Sequence, residues 1–587
     1  MNEGSDVFAL IALLWPDKAP FGEYLAEILY TEGLPWLKRV GSWREAASMA
    51  GAADALIILA GVAVDLPTVR AWLEAGGMVV AMRPPAEICE LANLKPSGRT
   101  ASELPLRLEP PFDAGTARAH GEVDLYEASQ PSGARVHAHV ICDGERRPAV
   151  MSAAVGRGHL VIFAYDLPRS VAFTRQGNPE WSKSRGTDFG SNTFRPMDLF
   201  VRGCGAQTWL DFPSSAAPLA DMQQRLLAHL LTSLARRPLP RVWYLPHAKR
   251  TVLTILGDSD SADPAVISEQ FDDVARLTAG CMSVFLIDYS VDRADAATVA
   301  RWRAAGHEVS VHPDYGLHGD KSTPNRETML LTQRTILDRF RAKFGFLPRT
   351  VRNHSVSWVG FAGQPEVERS LGIRLNSSYV YSSAFAKPSY GGPPVGYLNG
   401  SGQPQKFADE RGRVLDIYQL GGQVCDEMLK AQYLNMDAER AWRVTEKLIE
   451  ASIARWHSYI GLSFHPVTYH SNPEAKRWLR DCILPYARRH GLRLWSTEKI
   501  LDFADARRGC HMENVRWVAN ELCGEFCAPQ ADAGLTLMLP AETQGRRLSR
   551  LVINGAEAPG PDVELAEARW RLIVVDSDHS EIRAEYK

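Results

Sequence analysis

The sequence predicts an α/β protein of about three domains with a (β/α) barrel, closed or nearly so, at its centre. Short apolar runs alternate with helical patterns from Val7 to about Leu239 and again from Thr251 to about Arg507. After Arg508 the pattern changes to short alternating runs between Gly, Pro and Asn turns, which reads as a small all-β domain. A Pro-containing stretch, Arg236 to Pro246, separates the first two parts, and a chain of 587 residues exceeds what one core ordinarily serves. The expected domains are 1–239, 240–508 and 509–587.

Composition narrows the partners. Hydrophobic residues make up 45% and charged residues 23%, and the formal net charge is only -3. Neither extended disorder nor bulk electrostatic binding to nucleic acid fits that balance, so a neutral or small partner is expected. The nine cysteines are scattered, odd in number and without a dense framework, as in a reducing compartment. Cys510, His511, Cys523 and Cys527 raise a metal or disulfide reading, but Cys510 and His511 are adjacent and lack the usual ligand spacing, so scattered structural thiols are expected. No stretch has the apolar length of a membrane helix, and Val7 to Trp15 reads as a first core strand without a basic leader. The sequence as it stands therefore suggests the cytoplasm, or the periplasm or exterior if an export signal has been trimmed.

In the first part, strands are expected at Phe8–Leu14, Ala55–Ala60 and Met78–Met82, with helices at Phe21–Glu32 and Leu66–Ala75. The segments Asp54 to Gly61 and Val69 to Ala81, with Gly156 to Leu167 as a closing strand, resemble glutamine-amidotransferase-like domains of flavodoxin type. Catalytic members of that group carry a nucleophilic cysteine on a sharp turn after a strand. Here that turn reads Met82-Arg83-Pro84-Pro85, so a structural role or a wall of the substrate cleft is expected. Ser170 to Met197 reads as a long irregular loop. In the middle part, strands are expected at Val252–Leu256, Ser283–Ile287, Glu308–Val311, Thr350–Arg352, Leu415–Tyr418, Ile460–Phe464 and Leu492–Trp495. Helices such as Ala296–Ala305, Arg326–Phe344 and Ala438–Trp456 lie between them.

The most informative run is Leu253-Thr254-Ile255-Leu256-Gly257-Asp258-Ser259-Asp260, which delivers two carboxylates to the end of a buried strand. Carboxylates in such a place need a metal, a cation or a proton in use. Later strand ends supply His312, followed by His318, and His465. Acids and histidines from separate strand ends predict one polar site.

With Gly306 to His312, Arg352-Asn353-His354 and Leu462 to Pro466, this order of short motifs resembles the polysaccharide deacetylase family, over roughly Thr251–Arg507. The resemblance implies a distorted (β/α)7-type barrel and a metal-dependent hydrolase that removes acetyl groups from an amino sugar or polysaccharide. It implies Asp258 as base, Asp260, His312 and His318 as ligands of a divalent ion, His465 as general acid and Arg352 as the group holding Asp258. Zinc is the expected metal, with cobalt, nickel, iron and manganese as alternatives. His354, Trp358 and Tyr379 are candidate substrate contacts. Ser259 separates aspartates that the family commonly has adjacent, so base and ligand can be exchanged, and His318 must be folded back by the loop from Pro313 to Leu317. Taken singly, His465 also reads as a core histidine, Arg352 as a structural ion-pair partner and His318 as a solvent-facing residue. Two other functions stay open: glycosidic cleavage, with Asp416 or Glu427 as the facing acid, and a degenerate barrel that binds glycan.

Overall fold

The computed structural model describes residues 10–130, 133–183, 193–203, 205–317 and 325–587. A nine-stranded sheet occupies the first part. Its parallel half runs Leu37–Val40, Ile11–Leu14, Ala55–Ile58, Met78–Met82 and Gly158–Phe163. Ile11–Leu14, Ala55–Ile58 and Met78–Met82 are buried throughout, which is why they read as unbroken apolar runs. Of the expected strand Phe8–Leu14, residues 8 and 9 lie outside the described residues. Four antiparallel strands, Glu145–Val155, Arg135–Cys142, Pro96–Leu108 and Thr116–Tyr126, extend the sheet in a way the apolar rhythm does not predict. At the turn after Met82, Arg83 takes a left-handed φ of 46° and its guanidinium pairs with Glu122 and Asp124 at 2.6 and 2.9 Å.

The second large sheet forms a ring. Val252–Asp258, Ser283–Leu286, Glu308–Val311, Thr350–Val351, Leu375–Val380 and Val414–Gly422 follow one another in parallel. Separated from Gly422 by Gln423 alone, Val424–Cys425 pairs with Tyr459–Ser463, which pairs in turn with Val252–Asp258, and the seven-stranded circuit closes. Helices at Pro264–Thr278, Ala296–Ala304, Arg326–Phe344, Gly363–Ser370 and Ala438–Ala451 connect the strands. Local signals set their ends: Asn325 caps the Arg326–Phe344 helix by accepting the Thr328 N–H, and Gly345, at φ 80°, ends it.

Three segments differ from expectation. Leu375–Val380 is a ring strand that the sequence hides, because its Asn376, Ser377 and Ser378 are polar yet buried. Arg493–Leu494 pairs only with the start of Val252–Asp258 and takes no place in the circuit. The expected loop Ser170–Met197 instead begins inside the buried helix Leu167–Gln176, and its residues 184–192 lie outside the described residues.

The expected boundaries are also crossed by contacts. Arg241–Val242 adds a strand to a four-stranded sheet with Thr536–Pro540, Ala568–Val574 and Asp562–Leu565 of the last part. A six-stranded sheet contains His511–Val518, Glu521–Cys527, His579–Tyr586 and Arg546–Ile553. The first part is tied to the ring by Arg175, whose Nη2 donates to Gln403 O at 3.1 Å, and by Gln176, whose Nε2 donates to Ala408 O at 2.8 Å. Among the described residues no helix is long and apolar enough to cross a membrane.

Ring closure depends on close backbone approach at Gly461, whose N–H donates to Gln423 Oε1 at 2.6 Å. A Cβ there would lie 2.7 Å from Gly421 O and 2.9 Å from Gly422 Cα. Gly461→Ala is expected to lower stability by about 1–3 kcal/mol, read from the urea midpoint. An unchanged midpoint contradicts this account of closure.

Candidate functional site

The carboxyl ends of the ring strands meet in an open cleft of about 520 Å³ lined by Asp258, Asp260, His312, Arg352, His354 and His465, among others. Each belongs to a strand end or the residues just beyond it, where the parallel strands stop pairing and the chain turns outward. Arg195 and Met197, from the first part of the chain, also line the cleft.

Asp258 is 5% exposed and sits against Arg352, whose Nε donates to it at 2.8 Å. Burial alone would raise its pKa. Arg352, with the imidazoles of His312 and His465, outweighs burial and holds the carboxyl below the usual range. Arg352 is itself fixed by donating Nη1 to Ser377 O at 2.7 Å and Nη2 to Ser463 Oγ at 2.9 Å. Asp260, two residues on, takes a left-handed φ of 43° and turns toward His312, with its Oδ1 3.7 Å from His312 Nε2. Burial again acts upward, but the imidazoles of His312, His465 and His354 bring Asp260 down to about 2.

Asp260, His312 and His354 each place one ligand atom within 4.8 Å of the others. The imidazoles are oriented for this from behind. His312 Nδ1 lies 2.6 Å from Arg352 O and so carries the proton, leaving Nε2 as an acceptor facing Asp260. His354 Nδ1 lies 3.2 Å from Asp314 Oδ1, which leaves its Nε2 free in the same way. Two imidazole nitrogens and one carboxylate, with open space beyond them, suit a first-row divalent ion. Ser355 and Val356 follow His354 at φ 53° and 46°. A β-branched residue in that region costs about 1–3 kcal/mol, so the surrounding contacts impose the turn that presents His354.

His465 stands across from this group. Its Nδ1 is 2.8 Å from Asp426 Oδ1, and its backbone N–H donates to Asp426 Oδ2 at 2.8 Å. Its Nε2 is 3.9 Å from Asp258 Oδ2 and 4.0 Å from Asp260 Oδ2. Burial pulls the imidazole toward neutrality, but the three carboxylates prevail and push it up to about 10.

Several expectations are redistributed. His354, expected to touch substrate, lies with Asp260 and His312, while His318, expected as the third ligand, lies outside the described residues. Trp358 and Tyr379, expected to present flat surface to a sugar, are both 0% exposed. Their rings pack edge to face at 5.1 Å, and the Tyr379 hydroxyl donates to Gln176 O, so they form core between the ring and the Leu167–Gln176 helix. The aromatic rings lining the cleft are Tyr390 and Tyr433. Asp416 pairs with Lys406 and Arg374 and is absent from the cleft lining, and Glu427 lines the cleft but pairs with Lys430 at 3.0 Å. Sequence reasoning missed Asp314, Asp426 and the buried Glu368, which accepts hydrogen bonds from Asn353 and Asn376 beneath the His354 turn. An acid one residue beyond an apolar strand, as Asp426 stands beyond Val424–Cys425, is the signal available for Asp426.

No family model matches this chain, and no curated protein does. Among solved structures, it is similar to a protein described as a putative polysaccharide deacetylase from Mycobacterium smegmatis, at 14% identity over 46% of this chain and 94% of that one, with a TM-score of 0.33. It is similar to a family 4 acetyl xylan esterase from Clostridium thermocellum in complex with a cobalt ion, at 12% identity over 43% and 90%, with a TM-score of 0.28. It is also similar to a β-galactosidase from Bacillus circulans, at 14% identity over 27% of this chain and 29% of that one, with a TM-score of 0.23. Likeness at these scores carries no weight for the chemistry, which rests on the side chains.

The pairing of His465 with Asp426 has a measurable consequence. In metal-free protein, NMR titration is expected to show His465 keeping its proton until about pH 10, and Asp426→Asn to move that midpoint toward the ordinary 6.5. Because the folded-state value is raised, the linked stability is fully present below about pH 6.5 and is lost as pH rises through about 10. The pH-dependent part of the difference in stability between wild type and Asp426→Asn should follow that window. A His465 midpoint near 6.5 in the wild type contradicts the assignment.

Proposed function

We propose that the cleft is a metal-dependent hydrolytic site that removes acetyl groups from an amino sugar or an acetylated polysaccharide. The observation that carries this reading is the division of labour around one small space: a ligand triad of Asp260, His312 and His354, a carboxylate held ionised, and an imidazolium facing it. The order of sequence motifs, resembling that of polysaccharide deacetylases, supplies the acetyl class. Tyr390 and Tyr433 in the cleft wall support a sugar, whose faces are apolar and whose edges are polar.

A divalent ion bound by the triad would act as a Lewis acid, making water more acidic and a carbonyl carbon more electrophilic. Asp258 is the proton acceptor for the attacking water, since Arg352 keeps it ionised and fixed. The water oxygen forms the new bond to the acetyl carbon. His465 gives its Nε2 proton to the departing nitrogen or oxygen as that bond breaks, leaving acetate and a free amine or alcohol. Asp426 holds the opposite ring nitrogen and balances the imidazolium charge. Glycosidic cleavage needs a carboxyl that is protonated near neutral pH. Asp258 and Asp260 are instead held below the usual carboxylate range.

Zinc- or cobalt-loaded protein is expected to release acetate from acetylated chito-oligosaccharides or glycan esters, and chelation to abolish release. Asp258→Asn and His465→Ala should each lower kcat by about 10²–10⁴-fold, while Asp416→Asn leaves it unchanged. New reducing ends without acetate, or full activity in both cleft variants, contradict the reading.

A further inference from the structure

The last part of the chain contains a second group of mixed donors, far in sequence from the cleft. On the six-stranded sheet, His511 pairs directly with Cys527, and Cys527 pairs directly with His579. Directly opposed residues on neighbouring strands point to the same face, and Glu513, two residues after His511, shares it. Three adjacent strands therefore bring an imidazole, a thiol, a second imidazole and a carboxylate into one patch.

The atoms converge. One ligand atom each from His511, Glu513 and Cys527 lie within 4.8 Å of one another. His511 Nε2 is 3.2 Å from Glu513 Oε1, while its Nδ1 faces Gly509 O at 3.4 Å, which orients the ring. His579 Nδ1 is 3.4 Å from Cys527 Sγ. Cys527 is only 3% exposed although its row alternates with the inward-facing Phe526. A second observation concerns the charges around the carboxylate donor. In the next row Glu513 is directly opposite Glu525, and Glu525 is directly opposite Glu581. Like charges in that position are destabilising; Arg583 pairs with Glu581 at 2.7 Å, and a cation held by Glu513 would relieve the repulsion between Glu513 and Glu525.

We propose that His511, Glu513 and Cys527, with His579 at their edge, form a structural site for zinc or another late first-row divalent ion. A set of nitrogen, sulfur and oxygen donors suits zinc and cobalt, whereas calcium and magnesium prefer oxygen alone. On binding, the Cys527 thiol gives its proton to solvent and the thiolate takes the metal. His511–Val518 is the edge strand of its sheet, and it begins directly after the helix Thr497–Arg508 that ends the ring. A metal here staples that edge to the two strands beside it, at the junction between the ring and the last sheets.

Cobalt separates this site from the cleft, because only this donor set contains sulfur. Full-length protein stripped by chelator and titrated with cobalt chloride is expected to develop a near-ultraviolet thiolate-to-cobalt charge-transfer band that saturates at one equivalent of this site. The band should vanish in Cys527→Ser, and cobalt affinity read from it should fall tenfold or more in His511→Ala, whose side chain is half-buried on an edge strand. It should persist in His312→Ala, which disables the cleft triad, and in Cys425→Ser. Absence of the band in the wild type, or its full retention in Cys527→Ser, overturns the proposal. Should Cys527→Ser fail to fold, an unchanged affinity in His511→Ala overturns it equally.

Discussion

The buried pair of Arg352 and Asp258 is the constraint on which the cleft depends. An ion pair taken out of water contributes little net stability, but removing one partner strands a charge and costs several kcal/mol. Arg352 spans the ring interior: its guanidinium reaches Asp258, the carbonyl of Ser377 and the hydroxyl of Ser463, which belong to three different strands. Its own carbonyl accepts the proton of His312 Nδ1. One residue thus fixes both the Asp258 carboxylate and the tautomer of the His312 imidazole.

The three histidines show how partners assign roles. His312 leans on a neutral carbonyl and presents a bare Nε2. His354 leans on Asp314 at the rim, and its proton affinity is raised because that carboxylate and Asp260 outweigh the effect of burial. His465 leans on the fully buried Asp426 and faces Asp258 and Asp260, and these carboxylates push its imidazole up to about 10 against the effect of burial. The environments of the titrating groups differ enough to suit the separate ligand, base and acid roles proposed for residues of only two types.

The rhythm of apolar runs made the parallel half of the first sheet and six of the ring strands legible, since strands buried on both faces must be apolar. Leu375–Val380 was illegible because its buried positions are satisfied by hydrogen bonds rather than by apolar side chains. Its Asn376 serves Glu368, and its Ser378 hydroxyl accepts the N–H of Asn353. Asp258, Asp260, His312 and His465 could be named from strand ends, and Arg352 from the order of motifs. The part of His354 could not, because it follows from backbone strain at Ser355 and Val356 and from Asp314, forty residues away. Trp358 and Tyr379 were misplaced for the opposite reason: aromatic residues near a site are as useful for packing one domain on another as for meeting a ligand, and only burial distinguishes the two uses.

The central claim is that Asp260, His312 and His354 hold an ion while Asp258 stays bound to Arg352. Anomalous diffraction from crystals equilibrated with zinc or cobalt tests it directly. The account predicts a peak bounded by those three side chains, with the Arg352 contact to Asp258 intact. A peak ligated by Asp258 with Arg352 displaced, or no peak in the cleft, would contradict it.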